Sequence, residues 1–317
     1  MNYIDKKTHE LLNELELFTQ REIEEHIFEK LKMIPVETQT NIDTFLSQFT
    51  FWGRLTTIED NTIIKVGSFL KENIKELKKF YTSLSDYRSK KTFYAIVNNW
   101  YNYDLKNLGE VIEKYFPHYF DLDIIPICKN EVFVDLGAYT GDTIEEFIKT
   151  YGDESYKKIY AYEITDDSMH ALKENLYSYP RIIYTKKAVM DFVGNGSIIA
   201  HEISTSSNQV LNEEEGDLLI TTLDEDIKEK ITILKMDIEG SEIHALKGSE
   251  KHLIEDHPTL IISIYHGYDD FLRIWKYINS LEIHYKYYLT LDAPSQCLMT
   301  VRFVKPIVAC GVSVELF

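Results

Sequence analysis

The sequence predicts an α/β protein: a doubly wound, mostly parallel sheet with an antiparallel terminal strand, preceded by an α-helical N-terminal domain. Three observations carry this expectation. Apolar residues recur at three- and four-residue steps through the first third; short β-rich runs alternate with helical segments from about Asp121 onward; and a turn bearing two glycines joins the first of those runs to the helix after it. The expected division is 1–120 for the helical domain and 121–317 for the sheet domain.

In the helical part, Ile4, Leu11, Leu12, Leu15, Phe18, Ile23, Ile27 and Leu31 lie on one face between charged residues, an amphipathic helical segment that Pro35 closes. Further helical patterns run over 41–48, 68–83 and 92–100. This third holds no chemical motif, and Trp52, Tyr94, Trp100 and Tyr101 read as core or interface aromatics. It is expected to enclose substrate or to mediate self-association, as in a homodimer.

The second part reads as a strand over 131–136 (EVFVDL), a helix over 142–150, a strand over 158–164 (KIYAYEI), a helix over 166–177 and a third strand over 181–189. An antiparallel excursion, 197–200 with 218–223, comes before a strand at 231–237 (ITILKMD) and a helix at 241–254. A strand over 259–265, a helix over 270–281 and two closing strands near 285–291 and 299–304 complete the pattern. Alternation of this kind builds βαβ units with right-handed crossovers, and the closing pair, without a helix between, reads as an antiparallel hairpin.

Composition narrows the function. The formal charge is −18, with 16 Lys/Arg against 20 Asp/Glu over residues 1–125 and 18 against 32 over 126–317. Such a surface repels polyanions, so nucleic acid is not an expected substrate. Cys128, Cys297 and Cys310 lack metal-ligand spacing, which reads as reduced thiols in a cytoplasmic protein. No apolar run reaches the roughly 18 residues of a membrane span, and the N-terminus lacks the apolar stretch of a signal peptide.

In doubly wound sheets, ligands bind beyond the carboxyl ends of the strands, where strand order reverses. The first strand runs into Asp135-Leu136-Gly137-Ala138-Tyr139-Thr140-Gly141-Asp142-Thr143. Gly137 and Gly141 permit a tight turn and close approach, and the following helix leaves N–H groups at its start. Only two glycines of G-x-G-x-x-G can be placed, against a nicotinamide oxidoreductase, and a phosphate loop's Gly-Lys-Ser/Thr is absent. An acid before the loop suits a ligand with an ammonium group, such as the methionine end of S-adenosylmethionine; an ordinary βα turn capped by Asp142 or Thr143 is the plainer alternative. Glu163 ends the second strand, 26 positions beyond Gly137, where a carboxylate can accept both ribose hydroxyls of a nucleoside.

The fourth strand ends in Lys235-Met236-Asp237-Ile238-Glu239-Gly240-Ser241-Glu242. Strand alternation would point Asp237 and Glu239 the same way, and three carboxylates gather at one helix entrance. They can cap the helix, or raise one another's pKa so that one serves as a base. No backbone or histidine ligand set accompanies them, so no metal is expected. His266, after the fifth strand, is a second candidate for accepting a proton. The polar loop Ser204 to Asn208 can cover a cofactor or grip an acceptor.

Over roughly 117–306 the sequence resembles the FkbM-type family of S-adenosylmethionine-dependent methyltransferases, through VDLGAYTGDTIEEFI, KIYAYEI, LKMDIEGSEIHALKG and LIISIYHGYDD, with HYFDLDIIPI as lead-in. The resemblance implies a class I, Rossmann-like methyltransferase fold, with S-adenosylmethionine as cofactor and S-adenosylhomocysteine as product. Implied cofactor-binding positions are Asp135, Gly137, Ala138, Tyr139, Thr140, Gly141, Asp142, Thr143, Glu163, Ile164, Ala188 and Asp237. Asp237, Glu239 and His266 are the catalytic candidates. The implied reaction is methylation of a hydroxyl on a saccharide or small molecule; N-methylation of an amine and a non-catalytic adaptor are alternatives. The chain departs from the family's common pattern at Ile164, where proline follows the acid, and at Thr290 and Asp292, where a basic pair is usual.

Overall fold

The structure is a computed structural model that describes residues 1–46, 53–55, 61–126, 129–199, 209–213, 215–291 and 299–304. Trp52, Asp292, the three cysteines and the Ser204 to Asn208 loop lie outside the described residues. The chain forms two compact units. One draws on Met1–Lys114, Ser263–Tyr277 and Tyr287–Val301, the other on Tyr115–Ile262, Ile278–Lys286 and Arg302–Phe317.

The first unit begins with helices α1 (Tyr3–Leu17), α2 (Gln20–Lys32), α3 (Val36–Leu46), α4 (Thr62–Glu72), α5 (Ile74–Ser83), α6 (Tyr87–Asn102) and α7 (Leu105–Gly109). The apolar pattern from Ile4 to Leu31 reads as one segment, yet the chain breaks at Thr19. The Thr19 hydroxyl accepts the Glu22 N–H at 3.3 Å, and the Glu22 carboxylate accepts the Thr19 N–H at 2.7 Å, a reciprocal cap that starts α2 afresh. Periodicity misses the break because α1 and α2 bury the same kind of face, Leu12 and Leu15 in one and Ile23 and Ile27 in the other. The single helix expected over 68–83 is likewise divided at Asn73, which ends α4 and begins α5.

The second unit holds β1 (Glu131–Leu136), α8 (Asp142–Tyr151), β2 (Tyr156–Tyr162), α9 (Asp166–Asn175), β3 (Ile182–Thr185), β4 (Ala188–Val189), β5 (Gly194–Ile199), β6 (Gln209–Asn212), β7 (Leu218–Thr221), α10 (Leu223–Asp226), β8 (Ile233–Met236), α11 (Glu242–Lys247), α12 (Glu250–Asp256) and β9 (Thr259–Ser263). After it come α13 (Asp270–Ser280), β10 (Lys286–Leu291) and β11 (Met299–Val304). The main sheet of the second unit runs β9-β8-β1-β2-β3, all parallel. From β1 the chain first winds outward through β2 and β3, then returns to β8 and β9 on the other side. The switch point therefore lies between β1 and β8. Phe120, Phe133 and Phe147, all fully buried, fill the space between β1 and α8, with Phe133 and Phe147 ring centroids 4.9 Å apart.

Three sequence expectations need correction. The third strand is two: β3 pairs with β2, and after Lys186 and Lys187 the chain leaves the main sheet, so that β4 joins a separate sheet ordered β4-β7-β5-β6. Lys187 ion-pairs with Asp226 at this crossing, a contact that a continuous apolar strand would not make. The excursion is accordingly a small sheet with its own core of Ala188, Met190, Leu218 and Ile220. The helix expected over 241–254 is divided into α11 and α12 at Gly248, where a Cβ would lie 1.9 Å from the Met190 carbonyl oxygen. Finally, β8 stops at Met236, and Glu239 and Gly240 take φ of 58° and 95°. Strand alternation therefore does not relate Asp237 to Glu239; a left-handed turn sets their directions.

Candidate cofactor site

The glycine turn is built by contact between β1 and β8. Gly137 has φ 79°, and a Cβ there would lie 2.0 Å from the carbonyl oxygen of Asp237, so only glycine lets the two strand ends come this close. Hydrogen bonds within the protein hold the loop: Gly137 and Ala138 donate to the Tyr162 carbonyl at 3.1 and 2.9 Å, and Gly141 donates to the Ala138 carbonyl at 2.8 Å. The Thr140 carbonyl accepts from the Asn175 amide at 2.9 Å. The N–H groups of Gly137, Ala138 and Gly141 are thus committed to the fold. Gly141 caps α8 with φ 89° and no side-chain cap; Asp142 follows it, exposed, and Thr143 is buried.

Under the loop lies a buried ion pair. Asp135 is fully buried in β1, and Lys235, 2% exposed in β8, brings its Nζ to 2.9 Å from Asp135 Oδ1 and donates to the Gly137 carbonyl at 3.0 Å. Asp135 Oδ2 is buried with no hydrogen-bond partner among the described residues. Burial pushes the Asp135 carboxyl up to about 6 against the pull of Lys235, and Asp142 and Asp237 add to the rise. Burial would lower Lys235, but the charges of Asp135 and Asp237 outweigh it and hold the ammonium above its ordinary value.

Glu163, 8% exposed, stands just past β2. Its Oε1 accepts from the N–H groups of Ile164 and Thr165 at 2.8 and 2.9 Å and from the Thr165 hydroxyl at 3.1 Å, while Oε2 accepts the Tyr139 N–H at 3.1 Å. One oxygen thus fixes the turn into α9, and the other ties that turn to the glycine loop. Ile164 packs on the small-sheet core that includes Ala188, which accounts for an apolar residue where the family commonly has proline.

Asp237 is partly exposed at the end of β8, and its Oδ2 accepts the Tyr119 hydroxyl at 2.6 Å. Tyr119 is itself buried, with φ 71°, and its ring lies 5.3 Å from the Lys235 ammonium. Of the three carboxylates after β8, Glu242 is committed to the backbone, 2% exposed and accepting the Ile238 N–H at 2.9 Å. Glu239 sits in the left-handed turn, partly exposed. His266 is 4% exposed, with its ring centroid 4.0 Å from that of Tyr265, and belongs to the first compact unit.

In the second unit the structure brings together Asp135, the loop from Gly137 to Gly141, Glu163 and Asp237. Sequence reasoning missed Lys235 and Tyr119. A signal for Lys235 was present: a lysine in the middle of the apolar run ITILKMD of a central parallel strand has to be buried and needs a counter-charge. Tyr119 carries no such signal, because its partner is 118 positions away.

No curated protein matches the sequence. Among solved structures, the methyltransferase FkbM from Methylobacillus flagellatus aligns with a TM-score of 0.64 at 24% identity, over 76% of this chain and 61% of that one, a likeness of fold. The chain thus spans about three fifths of that protein's length. Aeropyrum pernix fibrillarin, solved with natively bound S-adenosyl-L-methionine, aligns with a TM-score of 0.38 at 13% identity over 57% of this chain and 69% of that one. Residues 135–287, from Asp135 near the end of β1 to the start of β10, match the family described as the methyltransferase FkbM domain.

Proposed function

We propose that this chain transfers a methyl group from S-adenosylmethionine to a hydroxyl of a saccharide or small-molecule acceptor. The observation that carries the reading is the buried Asp135 carboxylate, with Oδ2 unpaired beneath the glycine turn at the switch point of an FkbM domain. An uncompensated buried carboxylate oxygen costs folding free energy, and an ammonium group on a ligand offsets it. The residues present fit the methionine end of the cofactor at Asp135 and one ribose hydroxyl at Glu163 Oε2, the oxygen that accepts a single internal donor, not both hydroxyls as the sequence suggested. When bound, the cofactor supplies an electrophilic methyl group on a sulfonium.

What the protein itself must then do is hold the acceptor oxygen in line, exclude water and take one proton. Asp237, Glu239 and His266 are the candidates for that proton. Asp237 is held by the Tyr119 hydroxyl at a strand end beside Gly137, which suits a residue that orients the ligands. Glu239, in a turn that only a built constraint keeps left-handed, suits a residue that meets the acceptor.

Calorimetry with S-adenosylmethionine and with NADH tests the cofactor. Binding of the methyl donor is expected; binding of NADH alone would overturn the reading. Labelled methyl transfer to saccharide and metabolite pools then identifies the acceptor. In that assay, Glu239→Gln and His266→Ala separate the proton acceptors, since losing the true base lowers kcat by about 100- to 10,000-fold with cofactor affinity nearly unchanged. A variant with full turnover removes its residue from consideration.

A further inference from the structure

Lys235 has no place in the chemistry so far, yet it is the most completely buried cation among the described residues, 2% exposed in the central strand β8. A buried lysine is costly unless its protons are used and its charge is matched. Its ammonium is matched by Asp135 Oδ1 at 2.9 Å, donates to the Gly137 carbonyl at 3.0 Å, and lies over the Tyr119 ring at 5.3 Å. One side chain thereby ties the acid of β1, the glycine turn and the lead-in segment to β8, the strand just before Asp237. Both Asp135 oxygens are buried without a geometrically formed hydrogen bond among the described residues, and of the two only Oδ1 is ion-paired with Lys235, which leaves Oδ2 over.

We propose that Lys235 is a positioning residue of the cofactor site, which keeps the Asp135 carboxylate ionised and turned so that Oδ2 meets the ammonium of an adenosyl-amino-acid ligand. The inference rests on the adenosyl-ligand reading above and adds to it a residue that does not touch the ligand. Without Lys235, the charged groups acting on Asp135 are Asp142 from α8 and Asp237 beyond β8, both acidic. Both oppose ionisation, as does burial. Asp135 would then take up a proton near neutral pH and lose its attraction for an ammonium. The carboxyl of the native site is already raised to about 6, so the pair operates close to this limit.

The test is the pH dependence of binding of S-adenosylhomocysteine, which carries the same ammonium and does not react, measured by calorimetry from pH 5 to 7.5. Over this range a ligand α-amino group stays largely protonated. Wild-type affinity should rise through about pH 6 and level off near pH 7. Lys235→Arg should keep that profile. Lys235→Met should bind at least about tenfold more weakly at pH 6.5 and still be gaining affinity at pH 7.5, a displaced inflection that loss of packing alone does not produce. Asp135→Asn should bind weakly with no inflection at all. A folded Lys235→Met with the wild-type profile would overturn the proposal. So would a flat wild-type profile, which decides the matter even if the methionine variant does not fold. If no adenosyl ligand binds at any pH, the proposed function fails instead, so the two failures are distinct.

Discussion

In the proposed reading, Glu163 is one carboxylate that serves both folding and binding. Its two oxygens receive four donors from Tyr139, Ile164 and Thr165, so the side chain is already oriented before any ribose arrives. A glutamine in its place can satisfy the donors on one oxygen only and must turn its own N–H toward the Tyr139 N–H. Glu163→Gln is therefore expected to weaken S-adenosylhomocysteine binding by about 1.5 to 3 kcal/mol, roughly tenfold or more, and also to lower the thermal midpoint. Calorimetry and a melting curve on one sample check both; weaker binding at an unchanged midpoint would mean that the turn does not depend on this carboxylate. Asp135, Glu163 and the glycines were legible in the sequence because local spacing encodes them: an acid, a turn, a helix start and a second acid one βα unit later. Lys235 and Tyr119 act through contacts of 98 and 118 positions' separation, and no window along the chain contains both partners.

At the scale of elements, apolar periodicity located helices and strands but not the places where the chain breaks between like elements. The reciprocal cap at Thr19 is such a place, and Thr19→Ala should cost about 1 kcal/mol in a denaturant titration, typical of a lost N-cap. A change near zero would show that packing alone separates α1 from α2. A second element-level device is electrostatic. Glu229 accepts from Lys157 at 2.7 Å and the Tyr160 hydroxyl at 2.8 Å and also ion-pairs with Lys158, which clamps the start of β2 to the segment before β8. The Lys157 and Lys158 contacts, with help from Tyr160, pull the Glu229 carboxyl down to about 2 from 4.5 against burial. A depressed folded-state pKa stabilises above the unfolded value, and that stability is lost as pH falls from about 4.5 through about 2. Glu229→Gln should thus lower stability by about 1 kcal/mol at pH 7, a figure discounted for partial exposure, with the difference shrinking toward pH 2. Parallel thermal melts at pH 7 and pH 3 measure it; a difference that grows on acidification would contradict the assignment.

The whole molecule raises a different question, because its first compact unit is not contiguous in sequence. Helical periodicity draws attention to residues 1–120, but Ser263–Tyr277 and the strand after Lys286 pack with those helices. Trp275 meets Phe80 edge to face at 5.8 Å, Phe69 lies 6.5 Å from Tyr268, and the Ser85 and Ser89 hydroxyls accept the Tyr287 and Leu289 N–H groups at 3.0 Å each. No pattern in either stretch announces the other, since each is amphipathic or apolar on its own account. The physical consequence is specific. Removing residues 1–114 would uncover Tyr268, Trp275, Tyr287 and Leu289, all buried in the intact protein, and would leave two strand N–H groups without their acceptors. The truncated chain is therefore expected to aggregate or to bind a hydrophobic dye strongly, although every residue of the FkbM match remains in it. A milder probe keeps the chain intact: Phe80→Ala, at a fully buried ring, should cost about 3 to 5 kcal/mol in a denaturant titration. Intrinsic tryptophan fluorescence, to which Trp275 on Phe80 contributes with the two other tryptophans, should follow the same transition. A truncated chain that stayed soluble, dye-free and cooperative in unfolding would show that the later segments fold without the helices, and that the packing between them contributes little.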